Sequence, residues 1–245
     1  MEVDKKKSVV YTVVTDGYDS VKPIAKPNDN VDYFLVSNKS IPEVAGWKVI
    51  VINSRLKHTK FNRKFKINPD LLFPNYKESL YIDGNIEIIG EVEDFMLSIP
   101  NDVLMALFDH PVHLTAKQEF DAIIRMGYGS EKEAIEQFKE YESFYSAQKQ
   151  FYECNIIYRK HNEIEVIAAM RTWWSEFLSG IPRDQLSMHY SCSKFIDIYP
   201  LGRHDARFIH KYFKYSKHRK LFNRSLILKH RIFNNIKRVM RKING

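Results

Sequence analysis

The stretch "SVVYTVV", Ser8 to Val14, is apolar and rich in β-branched residues, and "TDGYD" stops it abruptly. A short run of this kind bounded by turn residues predicts a buried strand feeding a loop. Three more strands follow in "DYFLVSN" (Asp32 to Asn38), "WKVIVIN" (Trp47 to Asn53) and "ESLYIDGNIEII" (Glu78 to Ile89), the last broken near Gly84. Between the third and fourth, "NRKFKINPDLLFP" sets the turn residues Asn68 and Pro69 before a short apolar run suited to a brief helix. Strands separated by turns and helical pieces predict an α/β domain built on a mostly parallel, buried sheet flanked by helices.

Further along, "SEKEAIEQFKEYESFYSAQKQFY" (Ser130 to Tyr152) opens with a serine cap and early acids. It spaces Ile135, Phe138, Tyr141 and Tyr145 as a helix does. "EIEVIAAMRTWWSEFL" (Glu163 to Leu178) predicts a second amphipathic helix, and Pro182 opens the first turns of another in "RDQLSMHY". Trp173 and Trp174 on the former suit a core, with a sugar platform as the alternative. No internal repeat and no low-complexity linker interrupts the chain.

Charge divides the molecule. Residues 206–245 hold 7 Lys and 6 Arg with no Asp or Glu, a net +13, whereas residues 1–205 hold 25 basic and 30 acidic residues, a net −5. We therefore expect a domain over residues 1–218 and a basic amphipathic helical tail over 219–245. In the tail, Ile232, Phe233, Ile236, Val239, Met240 and Ile243 form one stripe opposite Lys and Arg. Such a helix suits an anionic membrane surface; packing on the body or on a second subunit is the other reading. A nucleic-acid arm needs the charge and not the stripe, and the acidic body argues against nucleic acid as a partner. With 44% hydrophobic residues the chain can build a real core. Two cysteines, Cys154 and Cys192, make no disulfide framework. The amino-terminal stretch lacks the apolar run and small-residue cleavage site of a signal peptide. The expected location is the cytoplasm, peripheral on the inner face of the membrane.

Asp83 ends an apolar strand, and Asn85 stands two residues on across Gly84. Ligands of open α/β sheets bind beyond the carboxyl ends of the strands. Two hard oxygens there suit Mg²⁺ or Mn²⁺ with phosphates completing the shell. A plain Asp-Gly turn is the competing reading. Arg183 and Asp184 likewise suit a helix-start ion pair.

Five stretches, "YTVVTDGYD", "LFPNYKESLYIDGNI", "DHPVHLTAKQE", "YECNIIYRKHN" and "PRDQLSMHY", occur in the order seen in a glycosyltransferase-like family of bacterial proteins and of plant Golgi proteins linked to mucilage and pectin. The chain resembles that family from about Val9 to His218, and the resemblance implies a divergent GT-A fold similar to the glycogenin-like sugar transferases. It implies a hexosyltransferase-like enzyme that moves a sugar from a nucleotide-sugar donor to a glycan or lipid-linked acceptor. Relatives carry Asp-x-Asp where this chain has Asp83 and Asn85, so one charge is missing from the expected metal and diphosphate ligands.

By the same resemblance, Asp184 and Gln185 lie under the anomeric carbon, as in retaining members. Thr15, Asp16, Gly17 and Tyr18 meet the nucleotide, with Tyr18 able to stack and Asp16 able to accept from ribose or base. Arg63 and Lys66 meet donor phosphate or sugar, with a solvated charge cluster as the alternative. Asp83, Gly84 and Asn85 complete the donor site, and His218 is the third metal ligand, with His204 as its competitor. His110, His113 and Glu119 fall on the acceptor side of the cleft, as do Glu153, Asn155, Arg159 and His161; each of these also suits a structural polar role. A non-catalytic sugar-binding or nucleic-acid-binding protein is the alternative to the enzyme.

Overall fold

The computed structural model describes residues 7–15, 19–126, 131–145 and 150–216. A seven-stranded sheet forms its centre. The strands, in chain order, are β1 (Ser8–Val14), β2 (Val31–Ser37), β3 (Lys48–Val51), β4 (Glu78–Ile82), β6 (Met105–Asp109), β7 (Tyr152–Arg159) and β8 (Ile198–Pro200). Their spatial order is β3-β2-β1-β4-β7-β6-β8. Only β7 runs against the rest, paired antiparallel to both β4 and β6. The short strands β5 (Ile86–Ile88) and β9 (Phe213–Tyr215) make a separate antiparallel ribbon.

The apolar character of β1 follows from this placement. Val9, Tyr11 and Val13 point to one face of the sheet and Val10 and Val14 to the other, and both faces are covered. On the first face lie α1 (His58–Ile67), α5 (Ile164–Ser179) and α6 (Asp184–Cys192), which contribute Phe61, Phe65, Met170, Trp173, Phe177 and Met188. On the second lie α2 (Val92–Leu97), with Val92, Phe95 and Met96, and the β5–β9 ribbon, with Ile86, Ile88 and Phe213. A third cluster joins α3 (Ala116–Met126) and α4 (Glu131–Tyr145) to α6 through Phe120, Ile123, Tyr141, Leu186 and Tyr190. No helix among the described residues is long and apolar enough to cross a membrane.

The expected mostly parallel sheet flanked by helices is the one observed. One expectation needs correction. The helix expected to run to Tyr152 is described over Glu131–Tyr145, and it does not reach Tyr152, which opens β7. The residues of "YECNIIYR" are needed as the antiparallel strand between β4 and β6, and sheet pairing overrides the helical pattern before it. Trp173 is wholly buried and Trp174 packs at the edge of the same cluster, so the pair belongs to the core. The tail from residue 217 on, His218 included, lies outside the described residues.

Several histidines are buried in neutral form. His189 stacks between the rings of Phe151 and Tyr152 at 4.6 and 5.4 Å, and its Nε2 accepts the Tyr152 N–H at 3.1 Å. Burial pushes its pKa down to about 3. His204, stacked on Phe108, is pushed down to about 4, again by burial. Below the ordinary histidine pKa the unfolded chain takes up protons that these folded side chains refuse. The stability they support is therefore complete above about pH 6.5 and is lost as pH falls towards 4. Urea unfolding should show a loss of about 1.4 kcal/mol per pH unit for each of the two between pH 6 and 5. His189→Gln should flatten the slope by one proton's worth; an unchanged slope would contradict this assignment.

Candidate functional site

Asp83 follows the last residue of β4. Its N–H donates to the Asn155 carbonyl at 2.8 Å, and its own carbonyl accepts the Ile86 N–H at 2.9 Å, closing a turn over Gly84 and Asn85. The turn does not make a hairpin, because β5 leaves the main sheet and pairs with β9. A Cβ on Gly84 would lie 2.8 Å from Val14 Cγ1 and 3.1 Å from Asp19 Cβ, so glycine is dictated by close approach to the exit of β1. Tyr81, two residues before Asp83 and so on the same side of the strand, donates its hydroxyl to Asp83 Oδ1 at 2.7 Å.

The strongest electrostatic feature lies beside this turn. Arg63 and Lys66 share one face of α1 at a spacing of three residues. Arg63 Nε is 3.0 Å and Lys66 Nζ 2.8 Å from Asp184 Oδ2, and Lys66 Nζ is also 3.6 Å from Asp83 Oδ1. Lys66 and Asp184 are buried, which rules out a merely solvated charge cluster. Burial alone would push the Asp184 carboxyl up. The Arg63 guanidinium and the Lys66 ammonium overcome it and hold the group well below the usual carboxylate range. Asp184 also opens α6, where the helix dipole favours an anion. Its side chain turns to α1, whereas Arg183 turns away to Glu119 at 3.1 Å. The expected alternative of a local Arg183–Asp184 cap pair is therefore not what dominates here.

Local structure fixes each partner. Asn62 Nδ2 donates to the Val13 carbonyl at 2.6 Å and ties α1 to β1. At the other end of α1, the wholly buried Arg159 guanidinium donates to the Lys66 carbonyl at 2.9 Å, the Ile67 carbonyl at 3.1 Å and the Tyr11 hydroxyl at 2.6 Å. It satisfies carbonyls that a helix end leaves without partners. Burial, opposed by this guanidinium, pushes the Tyr11 hydroxyl up to about 12. Trp173 Nε1 donates to the Asp184 carbonyl at 2.8 Å, so the core of α5 positions the start of α6. Gln185, also buried, has a side-chain amide nitrogen with no hydrogen-bonding partner among the described residues. An unsatisfied buried donor beside a buried carboxylate is a place for a polar ligand.

Other expected residues fall in distinct places. Thr15 is buried at the end of β1, and Asp16, Gly17 and Tyr18 lie outside the described residues. Asn85 is buried and faces the end of the described chain: its Nδ2 donates to the Ser216 carbonyl at 3.3 Å, and the Ser216 N–H donates to the Asn85 carbonyl at 2.7 Å. His204 bonds Asn155 Oδ1 at 2.8 Å inside the core and braces a π-helical turn, Asp205–Ile209. There the Asp205 carboxylate accepts the N–H groups of Lys211, Tyr212 and Phe213. Arg159 and His161, expected near the acceptor, are structural; His161 Nε2 bonds the Phe73 carbonyl at 2.8 Å. Glu153 forms a forked ion pair with Arg207.

His110, His113 and Glu119 do come together. The rings of the two histidines stack at 4.6 Å, and His113 Nδ1 is 2.6 Å from Glu119 Oε2. His110 Nδ1 accepts the N–H groups of Val112 and His113 at 3.3 and 2.7 Å. Their ligand atoms lie within 4.8 Å of one another; both Nδ1 atoms are engaged within the protein, so a divalent ion there would use the Nε2 atoms or displace those bonds. Asp83 is better suited to a hard cation. Its side chain is 33% exposed, and Tyr81 and Lys66 engage only Oδ1. Asn85 beside it is neutral, so a cation held by Asp83 would need most of its shell from other oxygens.

Sequence reasoning missed Arg159 as the group that holds Lys66, and Tyr81 as the partner of Asp83. The period of two along β4 was the available signal for Tyr81. The ion pairs make a direct prediction. Lys66→Met should cost about 3 kcal/mol in urea unfolding by leaving Asp184 under-compensated. Adding Asp184→Asn should recover at least about 1 kcal/mol of that loss. Strict additivity would show that the pair is not coupled.

Comparison with known proteins places this geometry in context. Residues 2–227 match the family model described as "TOD1/MUCI70, glycosyltransferase-like domain". Among solved structures, the fold is similar to the apo form of WbbM, a bifunctional glycosyltransferase, with a TM-score of 0.53 and 12% identity over 82% of this chain and 40% of that one. GlyE of Streptococcus pneumoniae TIGR4, also a glycosyltransferase, gives a TM-score of 0.47 and 12% identity over 83% of this chain and 46% of that one. The chain thus spans less than half the length of either. No curated protein matches its sequence. With the family match running over nearly its whole length, the chain belongs to the TOD1/MUCI70 glycosyltransferase-like domain family.

Proposed function

We propose that the protein transfers a sugar from a nucleotide-sugar donor to a glycan acceptor. The observation that carries this reading is the buried Asp184 carboxylate held by Arg63 and Lys66, next to the unpartnered Gln185 amide and the partly exposed Asp83. Two fixed cations beside an exposed acid suit a diphosphate, which brings negative charge that Arg63 and Lys66 can meet. Asp184, ionised and already oriented, is suited to accept a sugar hydroxyl or to stabilise positive charge on the anomeric carbon. Gln185 supplies a buried N–H donor, and a hydrogen bond formed there in the transition state is worth more than one in water. A divalent ion held by Asp83 would supply further neutralisation of the leaving diphosphate.

One feature favours a second reading. Asn85 in place of an acid weakens the metal site, and a chain that binds nucleotide sugar without turnover is the outcome if that loss is decisive.

A thermal-shift screen with UDP-, GDP- and CDP-sugars, with and without Mn²⁺, tests the donor site first. Stabilisation by one nucleotide class, followed by transfer to a glycan acceptor, is the expected result. Gln185→Ala should lower kcat on the order of a hundredfold with a smaller effect on donor affinity. Asp83→Ala should abolish transfer and leave the fold intact. Near-normal turnover by Asp83→Ala would refute the site; donor binding without any turnover would favour the binding protein.

A further inference from the structure

Beyond the donor site, the loop that follows β6 carries a second chemical arrangement. β4 and β6 are both antiparallel to β7 and so run parallel to each other. His110 and His113, just past the end of β6, therefore sit at the same carboxyl edge of the sheet as Asp83, just past the end of β4. That is the edge where open α/β sheets bind ligands. Arg183 links the two places: it immediately precedes Asp184 in the chain, and its guanidinium donates to Glu119 Oε1 at 3.1 Å.

The hydrogen bonds assign the protons. An ionised Glu119 only accepts, so the 2.6 Å contact to His113 Nδ1 puts a proton on Nδ1, and in the neutral ring the lone pair then belongs to Nε2. Glu119 is 1% exposed and His113 19%, so the carboxylate is locked while the imidazole reaches solvent. The stacked His110 holds the plane of the ring. His110 stays neutral in this arrangement, because its Nδ1 accepts two backbone N–H groups. The flanking Val112 and Leu114 are 73% and 70% exposed, which keeps the loop at the surface.

We infer that His113 is the general base for the acceptor hydroxyl, with Glu119 and Arg183 as its positioning residues. The inference rests on the transferase reading above. In the step it implies, the acceptor O–H gives its proton to His113 Nε2 while its oxygen forms a bond to the anomeric carbon. The bond from that carbon to the diphosphate oxygen breaks, and its electron pair leaves with the nucleoside diphosphate. The imidazolium, stabilised by Glu119, then releases its proton to water. A base-assisted single displacement of this kind inverts the anomeric configuration, in contrast to the retention that the family resemblance implies.

His113→Asn is the informative variant, because the asparagine amide can keep the donor to Glu119 while the base at Nε2 is lost. The charged and titratable groups that face the pair are Glu119 of α3, Arg183 before α6, His110 on the same loop, and, beyond His110, Glu153 of β7 and Arg207 of the π-helical turn. With the nucleotide sugar selected by thermal shift as donor and p-nitrophenyl glycosides as acceptors, His113→Asn should lower kcat about a hundredfold or more. Donor affinity should be unchanged, and the acidic limb of the pH–rate profile should disappear. NMR of the product should show inversion. Long-range ¹⁵N–¹H NMR of the full chain should show the His113 proton on Nδ1. An acidic limb that survives His113→Asn, retention in the product, or a proton on Nε2 would overturn the proposal and leave the transferase reading standing. Absence of transfer by the unmodified protein with every donor would overturn both.

Discussion

Burying the Asp184 carboxylate at the start of α6 costs several kcal/mol of hydration, and the pairing with Arg63 and Lys66 offsets that cost. Both cations come from α1, so this contact decides how α1 and α6 sit against the sheet. The cations in turn depend on elements distant in sequence. Arg159, from β7, holds the carboxyl end of α1, and Tyr11, from β1, holds Arg159. Trp173 of α5 holds the Asp184 carbonyl. Loss of Lys66 or Arg63 strips a partner from the buried Asp184 carboxylate, and loss of Trp173 or Tyr11 removes a hydrogen bond that positions one side of that pairing.

The same contact explains why the site lies at one edge of the sheet. Asp83 follows β4, Thr15 follows β1, and Asp184 begins a helix packed on the sheet. Gly84 lets the Asp83 turn press against Val14, which brings the exits of the first and fourth strands together. Asn85 then binds Ser216 across a separation of 131 residues, so the last described segment returns to the same turn. Asn85 lacks the second acid's charge expected of an Asp-x-Asp pair, while Lys66 already stands 3.6 Å from Asp83. The local balance of charge at this turn therefore rests on protein cations more than on acidic ligands.

β1 to β4 were legible because strands covered on both faces are mainly apolar, as β1 shows, whereas β6, β7 and β8 were not read as strands. Helix α1 was not legible either. "HTKFNRKFKI" has no acid in its first turn and is crowded with basic residues. Its helicity depends on Phe61 and Phe65 packing on the sheet and on acids supplied from far along the chain. β7 was not read as a strand, and the helical stretch expected before it was carried on to its first residue, Tyr152; only pairing with β4 and β6 settles where the strand begins. Asp83 and Asp184 stood out in the sequence by position: one ends a strand and the other begins a helix. Arg63 and Lys66 were candidates for donor phosphate, but their pairing with these acids was not legible, since the reach of Lys66 to both carboxylates and the capping of its carbonyl by Arg159 are properties of the assembled core.

The central claim is that Arg63, Lys66, Asp184 and Gln185 form a donor site for the diphosphate and sugar of a nucleotide sugar. A crystal structure of the full chain with an intact nucleotide sugar tests it most directly. The account predicts diphosphate oxygens within hydrogen-bonding distance of Arg63 and Lys66, and sugar hydroxyls on Asp184 and Gln185. A nucleotide sugar seated elsewhere, with Lys66 still paired to both carboxylates and the Gln185 amide untouched, would contradict it.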